Sequence, residues 1–300
     1  MKILCTGAAG YIGSQLARIL IQKNYDLTLI DNYSTHSNIK EINGVAIQHQ
    51  DIRDKIDISE YDTIFHLAAI SGIKTCEEDK EEAFDVNVRG TFNLLKTCKG
   101  RFIFPSTSAV YGQAELPEID EQHSTIPRSH YGVTKLEGER LVTLHDNYCI
   151  LRFSNVYGMG LFCKRTVADC FVETALKKET LTIHGDGRQR RDFVHINDVV
   201  RSYILAMKSD TNATYNIGGN EALSINDIAE LVIKNNRQVF GYTLDKKYIP
   251  IDCGMVWKDF IYSSRLAKDG LQYEPAYSIS DEIRERLNVY CKKFGGKNPC

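Results

Sequence analysis

Thr6-Gly7-Ala8-Ala9-Gly10-Tyr11-Ile12-Gly13 is the stretch whose reading decides the fold of this chain. A short apolar run, Lys2-Ile3-Leu4-Cys5, leads into it. An amphipathic stretch leaves it, with Ile12, Leu16, Ile19 and Leu20 at helical spacing. A second apolar run, Leu27-Thr28-Leu29-Ile30, follows and ends in Asp31. The order is strand, glycine turn, helix, strand, acid. Glycines let the backbone approach a pyrophosphate, and a helix N-terminus offers unpaired N–H groups and a partial positive charge. A carboxylate at the second strand's end accepts from both hydroxyls of an adenosine ribose and repels a 2′-phosphate. NAD, not NADP, is the expected cofactor. The spacing is Gly-x-x-Gly-x-x-Gly, and the strand–helix–strand–acid context gives it its weight.

Working outward, 300 residues make one large or two modest domains, and a hydrophobic content of 43% is that of an ordinary globular chain. A net charge of −2 gives no electrostatic reason to expect nucleic acid or a membrane surface. No apolar run is long enough to span a bilayer. The first residues enter a core strand and leave no room for a signal peptide, so a cytoplasmic location is expected. Cys5, Cys76, Cys98, Cys149, Cys163, Cys170, Cys253, Cys291 and Cys300 form no Cys-x-x-Cys pair. They read as reduced thiols, and no metal is expected.

After Asp31 and a polar loop from Asn32, Val45-Ala46-Ile47 reads as a third strand. The Asp51-Ile52 pair beyond it suits either an adenine contact or the cap of the next segment. Residues 63–69 read as a fourth strand whose small end residues leave room for a ligand. His66 lies in its apolar run and reads as a core histidine satisfied by backbone. Residues 77–98 read as a helix with Phe84, Val88, Phe92 and Leu95 toward the sheet and Asn87 as a surface amide. Arg101-Phe102-Ile103-Phe104 is a fifth strand, broken by Pro105. Ser106-Thr107-Ser108 then places three hydroxyls at the expected crevice. Tyr131 and Lys135 share one face of a helix running to about His145. An ammonium beside a phenol favours the phenolate, which makes Tyr131 a base for a hydroxyl proton while hydride leaves the same carbon. Cys149-Ile150-Leu151-Arg152-Phe153 is a sixth strand.

These segments together resemble the extended short-chain dehydrogenase/reductase family, and within it the NAD-dependent sugar-nucleotide epimerases and dehydratases. Residues 6–13, Asp31, Asp51-Ile52, His66-Leu67-Ala68-Ala69, Asn87, Val110-Tyr111-Gly112, Tyr131-x-x-x-Lys135 and Asn155-Val156-Tyr157-Gly158 appear in the family's order. So do Arg191-Asp192-Phe193-Val194, Tyr215-Asn216-Ile217-Gly218-Gly219 and a closing helix from Ser280 to about Phe294. The resemblance implies an α/β fold: a doubly wound parallel sheet with a smaller C-terminal α/β substrate domain. Residues 1–155 would bind NAD, with about 185–215 returning to that domain, and 156–300 would mainly hold a nucleotide sugar.

The resemblance also implies roles. Tyr131, Lys135 and Thr107 would be catalytic. Gly7, Gly10, Tyr11, Ile12, Gly13, Asp31, Asn32, Asp51, Ile52, Leu67, Ala68, Ala69, Asn87, Ser106 and Ser154 would touch NAD together with the catalytic pair. Ser71, Thr107, Asn155 and Arg191 would touch the substrate, Arg191 at its diphosphate. The implied reaction is epimerisation at C4 of a UDP-hexose or UDP-N-acetylhexosamine through a 4-keto sugar. The alternatives are a 4-keto sugar reductase using NAD(P)H and an inactive NAD-binding regulator. Two departures stand out. Thr107-Ser108-Ala109 carries no carboxylate before Val-Tyr-Gly, which argues against 4,6-dehydration. Residues 250–259 contain no arginine for the diphosphate, and Lys258 is the candidate substitute. A homodimer through residues 80–98 and 131–146 is expected by analogy, and residues 295–300 read as a frayed tail.

Overall fold

A computed structural model of the chain describes residues 1–34, 39–113, 118–160, 166–250 and 259–294. In chain order the first part holds β1 (Lys2–Thr6), α1 (Tyr11–Gln22), β2 (Asp26–Asp31), β3 (Glu41–Ile42), β4 (Val45–His49), β5 (Thr63–His66), α2 (Ile73–Glu78) and α3 (Lys80–Phe84). A π-helical turn, Asp85–Gly90, joins α3 to α4 (Thr91–Leu95). Then come β6 (Arg101–Thr107), β7 (Glu118–Ile119), α5 (His130–Val142), β8 (Tyr148–Phe153), β9 (Asn155–Tyr157), α6 (Val167–Leu176) and β10 (Leu181–His184). The last part holds β11 (Arg190–His195), α7 (Ile196–Lys208), β12 (Ala213–Ile217), β13 (Ala222–Ser224), α8 (Ile225–Phe240), β14 (Lys246–Ile249), β15 (Ile261–Tyr262), α9 (Arg265–Leu271) and α10 (Ile279–Phe294).

Eight strands form one sheet in the order β12-β8-β6-β5-β1-β2-β4-β3. Among the described residues of this sheet, only the β3–β4 pair is antiparallel. Alternate residues of each strand enter different cores, as a pleat requires. Ile3 and Cys5 pack with Leu16 and Leu20 of α1 and with Val199, Tyr203 and Ala206 of α7. Leu4 packs on the other face with Ile64, Phe102, Leu94 and Val142. Both faces are covered, so the strands are apolar throughout. From β1 the chain moves outward to β2 and β4, then returns across to β5, β6, β8 and β12. The reversal point lies between β1 and β5, where a ligand crevice is expected at the carboxyl ends. A third cluster, with Phe171 and Val172 of α6, Ile228 and Val232 of α8, and Ile283 and Leu287 of α10, forms the core of the C-terminal half. The α8 N-terminus is closed by a capping box of Ser224 and Asp227.

Three sequence expectations are corrected. Strand β6 runs through Pro105 to Thr107. Its pairing with β5 ends at Ile103, so the missing proline N–H falls beyond that neighbour. The helical segment begins at Ile73 and is interrupted at Asp79. Its buried face is Ala83, Val86, Asn87, Gly90, Thr91 and Leu94, because the π turn shifts the register. Phe84 and Phe92 instead point outward, at 38% and 50% exposure.

The third correction concerns His66, which is satisfied by side chains rather than backbone. Thr91 Oγ1 donates to Asn87 O at 2.7 Å, so it accepts from His66 Nε2–H at 2.9 Å. Nδ1 then accepts from Thr6 Oγ1 at 2.9 Å, and that oxygen accepts from Ala68 N at 3.1 Å. Burial, aided by the Lys135 charge, drives the imidazole down to about 3, so it is a neutral strut. It ties the turn after β1 to the loop after β5. His66→Leu should cost roughly 1–3 kcal/mol in urea unfolding, because two buried hydroxyls each lose a partner. A loss of a few tenths would show that the chain of bonds does not hold the loop.

Candidate active site

The carboxyl ends of β1, β2, β5, β6 and β8 surround a crevice of two lobes. The smaller, about 70 Å³, is lined by Gly7, Gly10, Asp31, Asn32, Ile52, Leu67, Ala68 and Ala69 among others. The larger, about 750 Å³, is lined by Gly7, Gly10, Tyr11, Ile12 and Gly13, by Ser71, by Ser106 and Thr107, by Tyr131 and Lys135, and by Ser154 and Asn155. Both lobes share the glycine turn, so the crevice crosses the N-terminus of α1 from Asp31 to Tyr131.

The turn is built for close approach. Gly7 sits at φ +65°, and a Cβ there would meet Ala68 N at 2.6 Å. A Cβ on Gly13 would lie 2.1 Å from Gly7 O. No side chain caps the N-terminus of α1 at Gly10, which leaves that end to a ligand. Asp31, 8% exposed, accepts from Ala9 N at 2.9 Å and Tyr33 N at 2.7 Å, one bond per carboxylate oxygen. Each oxygen keeps a lone pair for a ribose hydroxyl.

Asp51 and Asn87 do not line either lobe. Asp51 takes Nε and Nη2 of Arg53 at 3.0 and 2.8 Å and Asn32 Nδ2 at 2.8 Å. Its hydrogen bonds to Arg53 hold its carboxyl well below the usual range. It therefore orients Asn32, while Ile52 forms wall. Asn87 is 2% exposed, not the surface amide that its sequence position suggests. It brackets Ile70 through N–H and C=O at 2.8 and 2.9 Å and donates to Thr134 Oγ1 at 3.0 Å. Its amide thus clamps the loop after β5 onto α5.

At the other end, burial pushes the Tyr131 hydroxyl up to about 12, and a hydrogen bond with Thr107 pulls it back down. Thr107 Oγ1 already accepts from Ala109 N, so its proton is available to the phenol oxygen. Lys135, 3% exposed, lies 4.1 Å above the Phe104 ring. Burial pushes its ammonium down to about 7, and the Glu139 charge pushes it back up. Glu139 belongs to no motif in the sequence, although it continues the Tyr131–Lys135 spacing by four more residues. It is paired with Arg152 through bonds of 2.9 and 2.7 Å. Arg152 also donates to the Tyr111 hydroxyl oxygen at 2.8 Å, and that hydroxyl donates to Asn216 Oδ1 at 2.7 Å. The tyrosine of Val110-Tyr111-Gly112 is thus a buried strut between β8 and β12.

Of the substrate candidates, Ser71, Thr107 and Asn155 line the larger lobe. Arg191 lines neither; its guanidinium donates to Arg190 O at 2.8 Å and Gln189 Oε1 at 3.3 Å. Lys258 and residues 251–257 lie outside the described residues. Among the described residues no group of His, Cys, Asp or Glu is placed to hold a metal, and no helix is long and apolar enough to cross a membrane.

A doubly wound sheet with a glycine turn at its reversal point, an acid on one side and a Tyr–Lys pair on the other defines a dinucleotide-dependent enzyme. The chain belongs to the NAD dependent epimerase/dehydratase family, which matches residues 3–218. It is similar to the UDP-glucose 4-epimerase of Corynebacterium glutamicum, 28% identical, covering 99% of this chain and 98% of the relative. The crystal structure of UDP-glucose 4-epimerase with UDP-glucose from Thermotoga maritima superposes with a TM-score of 0.84 at 29% identity, covering 98% of this chain and 99% of the other. UDP-glucuronic acid 4-epimerase from Bacillus cereus, in complex with UDP-glucuronic acid and NAD, superposes at 0.78 with 30% identity, covering 98% and 99%.

The residues present fit NAD. Asp31 offers free lone pairs at one end, a Cβ would fill the cradle at Gly7 and Gly13, and the Ser106 and Ser154 hydroxyls at the other end are buried without a protein partner. Gly13→Ala should therefore reduce the NAD released by acid from the purified protein to under about a tenth of wild type, because the turn must move away from the new methyl group. An unchanged NAD content would show that this turn does not carry the cofactor.

Proposed function

We propose that this chain is an NAD-dependent epimerase that inverts C4 of a UDP-hexose or UDP-N-acetylhexosamine. The observation that carries the reading is the single crevice, with a ribose-type acid at one end and Thr107, Tyr131 and Lys135 at the other. NAD, when bound, supplies a hydride acceptor and a positively charged ring. Tyr131 takes the proton from the C4 hydroxyl and later returns it. Thr107 donates to the reacting oxygens, and Lys135 carries positive charge below them. General acid–base transfer and hydrogen bonding to a developing alkoxide each contribute about 10²-fold or more. Thr107-Ser108-Ala109 offers no carboxylate that would remove a C5 proton, so the keto sugar stays at the 4-keto stage until it is reduced. Asn155 and Arg191 hold the nucleotide end, Arg191 by turning from its backbone partner toward the diphosphate.

Within this reading residues 1–155, with the return segment 185–215, form the NAD unit, and the remainder mainly forms the substrate unit. Phe84, Phe92 and Val133 leave apolar surface on α3, α4 and α5, which suits a second copy of the chain. Sedimentation equilibrium reading a monomer at micromolar concentration would remove the homodimer. The free thiols of Cys5, Cys76 and Cys149, all buried, suit the reducing cytoplasm.

The test uses purified protein with no cofactor added. UDP-hexoses, UDP-N-acetylhexosamines and UDP-glucuronic acid are incubated with it, and their anomeric protons are followed by NMR. Appearance of a C4 epimer supports the reading and names the sugar. Turnover that appears only with stoichiometric reduced cofactor and a 4-keto sugar would replace it with a reductase.

A further inference from the structure

Tyr203 belongs to no motif of the sequence, yet it sits against the chemistry. It lies on α7, is 0% exposed, and lines the larger lobe with Tyr131 and Lys135. Its ring is fixed edge-on to Phe65 at 5.8 Å and tilted on Phe153 at 5.5 Å. Its hydroxyl is buried without a hydrogen-bond partner. A buried hydroxyl left unpaired is a cost that folded proteins rarely carry. Seven such side-chain atoms occur among the described residues, and those of Tyr203, Ser106 and Ser154 all line this lobe. Burial and the nearby Cys5, Tyr131 and Cys149 keep the phenol protonated, so it is a donor at working pH.

We propose that the Tyr203 hydroxyl binds the carboxamide of the nicotinamide and thereby helps to retain NAD through turnover. The inference rests on the NAD reading of the crevice. A carboxamide is the polar group on an otherwise apolar ring. It carries an acceptor oxygen and a donor nitrogen, which suit a lobe lined by a phenol and two serine residues. The lobe is the right one, because the ring must lie within reach of the carbon that loses hydride while Tyr131 takes the proton from its hydroxyl. Tyr203 is then a positioning residue that sets how the ring is held, and takes no proton itself.

The test is Tyr203→Phe, which keeps the ring between Phe65 and Phe153 and deletes only the oxygen. Wild type and variant are first freed of bound NAD, as checked by acid extraction, and their melting curves are then recorded without added ligand and titrated with NAD and with ADP-ribose, which lacks the nicotinamide. Without ligand the variant should melt at the wild-type temperature or slightly above, since it loses an unpaired buried hydroxyl. NAD should bind about tenfold more weakly, about 1.4 kcal/mol, while ADP-ribose should bind equally to both. Equal NAD affinity in the two proteins would overturn the proposal. So would an equal loss toward ADP-ribose, which would place the effect on the ribose or on the fold. A wild-type protein that binds neither ligand would remove the NAD reading itself, and this proposal with it.

Discussion

Tyr131→Phe should lower turnover by about 10³-fold or more and leave NAD bound. In the proposed reaction the Tyr131 phenol, which lines the larger lobe and hydrogen-bonds Thr107, takes the C4 hydroxyl proton. Burial holds the hydroxyl at about 12, and the Thr107 hydrogen bond opposes only part of the shift. In the proposed reaction the positively charged ring of bound NAD and the Lys135 ammonium would supply the rest. Removing the oxygen removes both the proton acceptor and the partner of Thr107, and each effect falls on the transition state. Single-turnover kinetics on protein of measured NAD content decide the matter. Activity within tenfold of wild type would pass the role of base to another group.

Lys135→Met should separate function from stability. Turnover should fall by at least about 10²-fold, since the phenolate loses its fixed positive neighbour. The NAD-free fold should gain stability at pH 7. Lys135 is buried, and its folded-state value of about 7 lies below the ordinary 10.5. Between those two values the unfolded chain binds a proton that the folded chain has released. Wild-type stability therefore rises with pH across this window, by at most about 1.4 kcal/mol per unit. Methionine has no such proton. The variant's advantage should be largest near pH 7 and shrink toward pH 10. Above pH 10 the raised value of Tyr131 acts with the opposite sign, so the measurement ends there. Urea unfolding at pH 7, 8.5 and 10 checks the slope. A wild-type–variant difference constant with pH would show that Lys135 keeps its charge in the fold, held by Glu139 and the Arg152 pair behind it.

The two variants test different halves of one device. Tyr131 is driven up and Lys135 down by the same burial. The Arg152–Glu139 pair, joined through Tyr111 to Asn216, anchors the far end of the helix that carries both residues. An error in its placement would move Tyr131 and Lys135 together.

Much of this was legible in the residues. The glycine turn, Asp31, the three hydroxyls and the Tyr131–Lys135 pair are local signals: each depends on spacing along one turn, one strand end or one helix face. The short apolar runs that read as strands, and the glycine turn between the first of them and α1, depend on the same short-range sterics. What the chain order could not express was the side chains' choice among distant partners. Phe84 and Phe92 look like a core stripe until the π turn rotates the helix and buries Asn87 and Thr91 instead. His66 looks like a lone core histidine until Thr6 and Thr91 arrive from β1 and α4. Asp51 looks open to a base until Arg53 fills it. Tyr203 carries no signal at all in an amphipathic helix, and only the packing of α7 against the sheet brings its hydroxyl to the crevice. Backbone conformation is set largely within a few residues, so sequence determines it. The satisfaction of buried polar groups is a long-range accounting, closed only when the whole fold has brought its partners together.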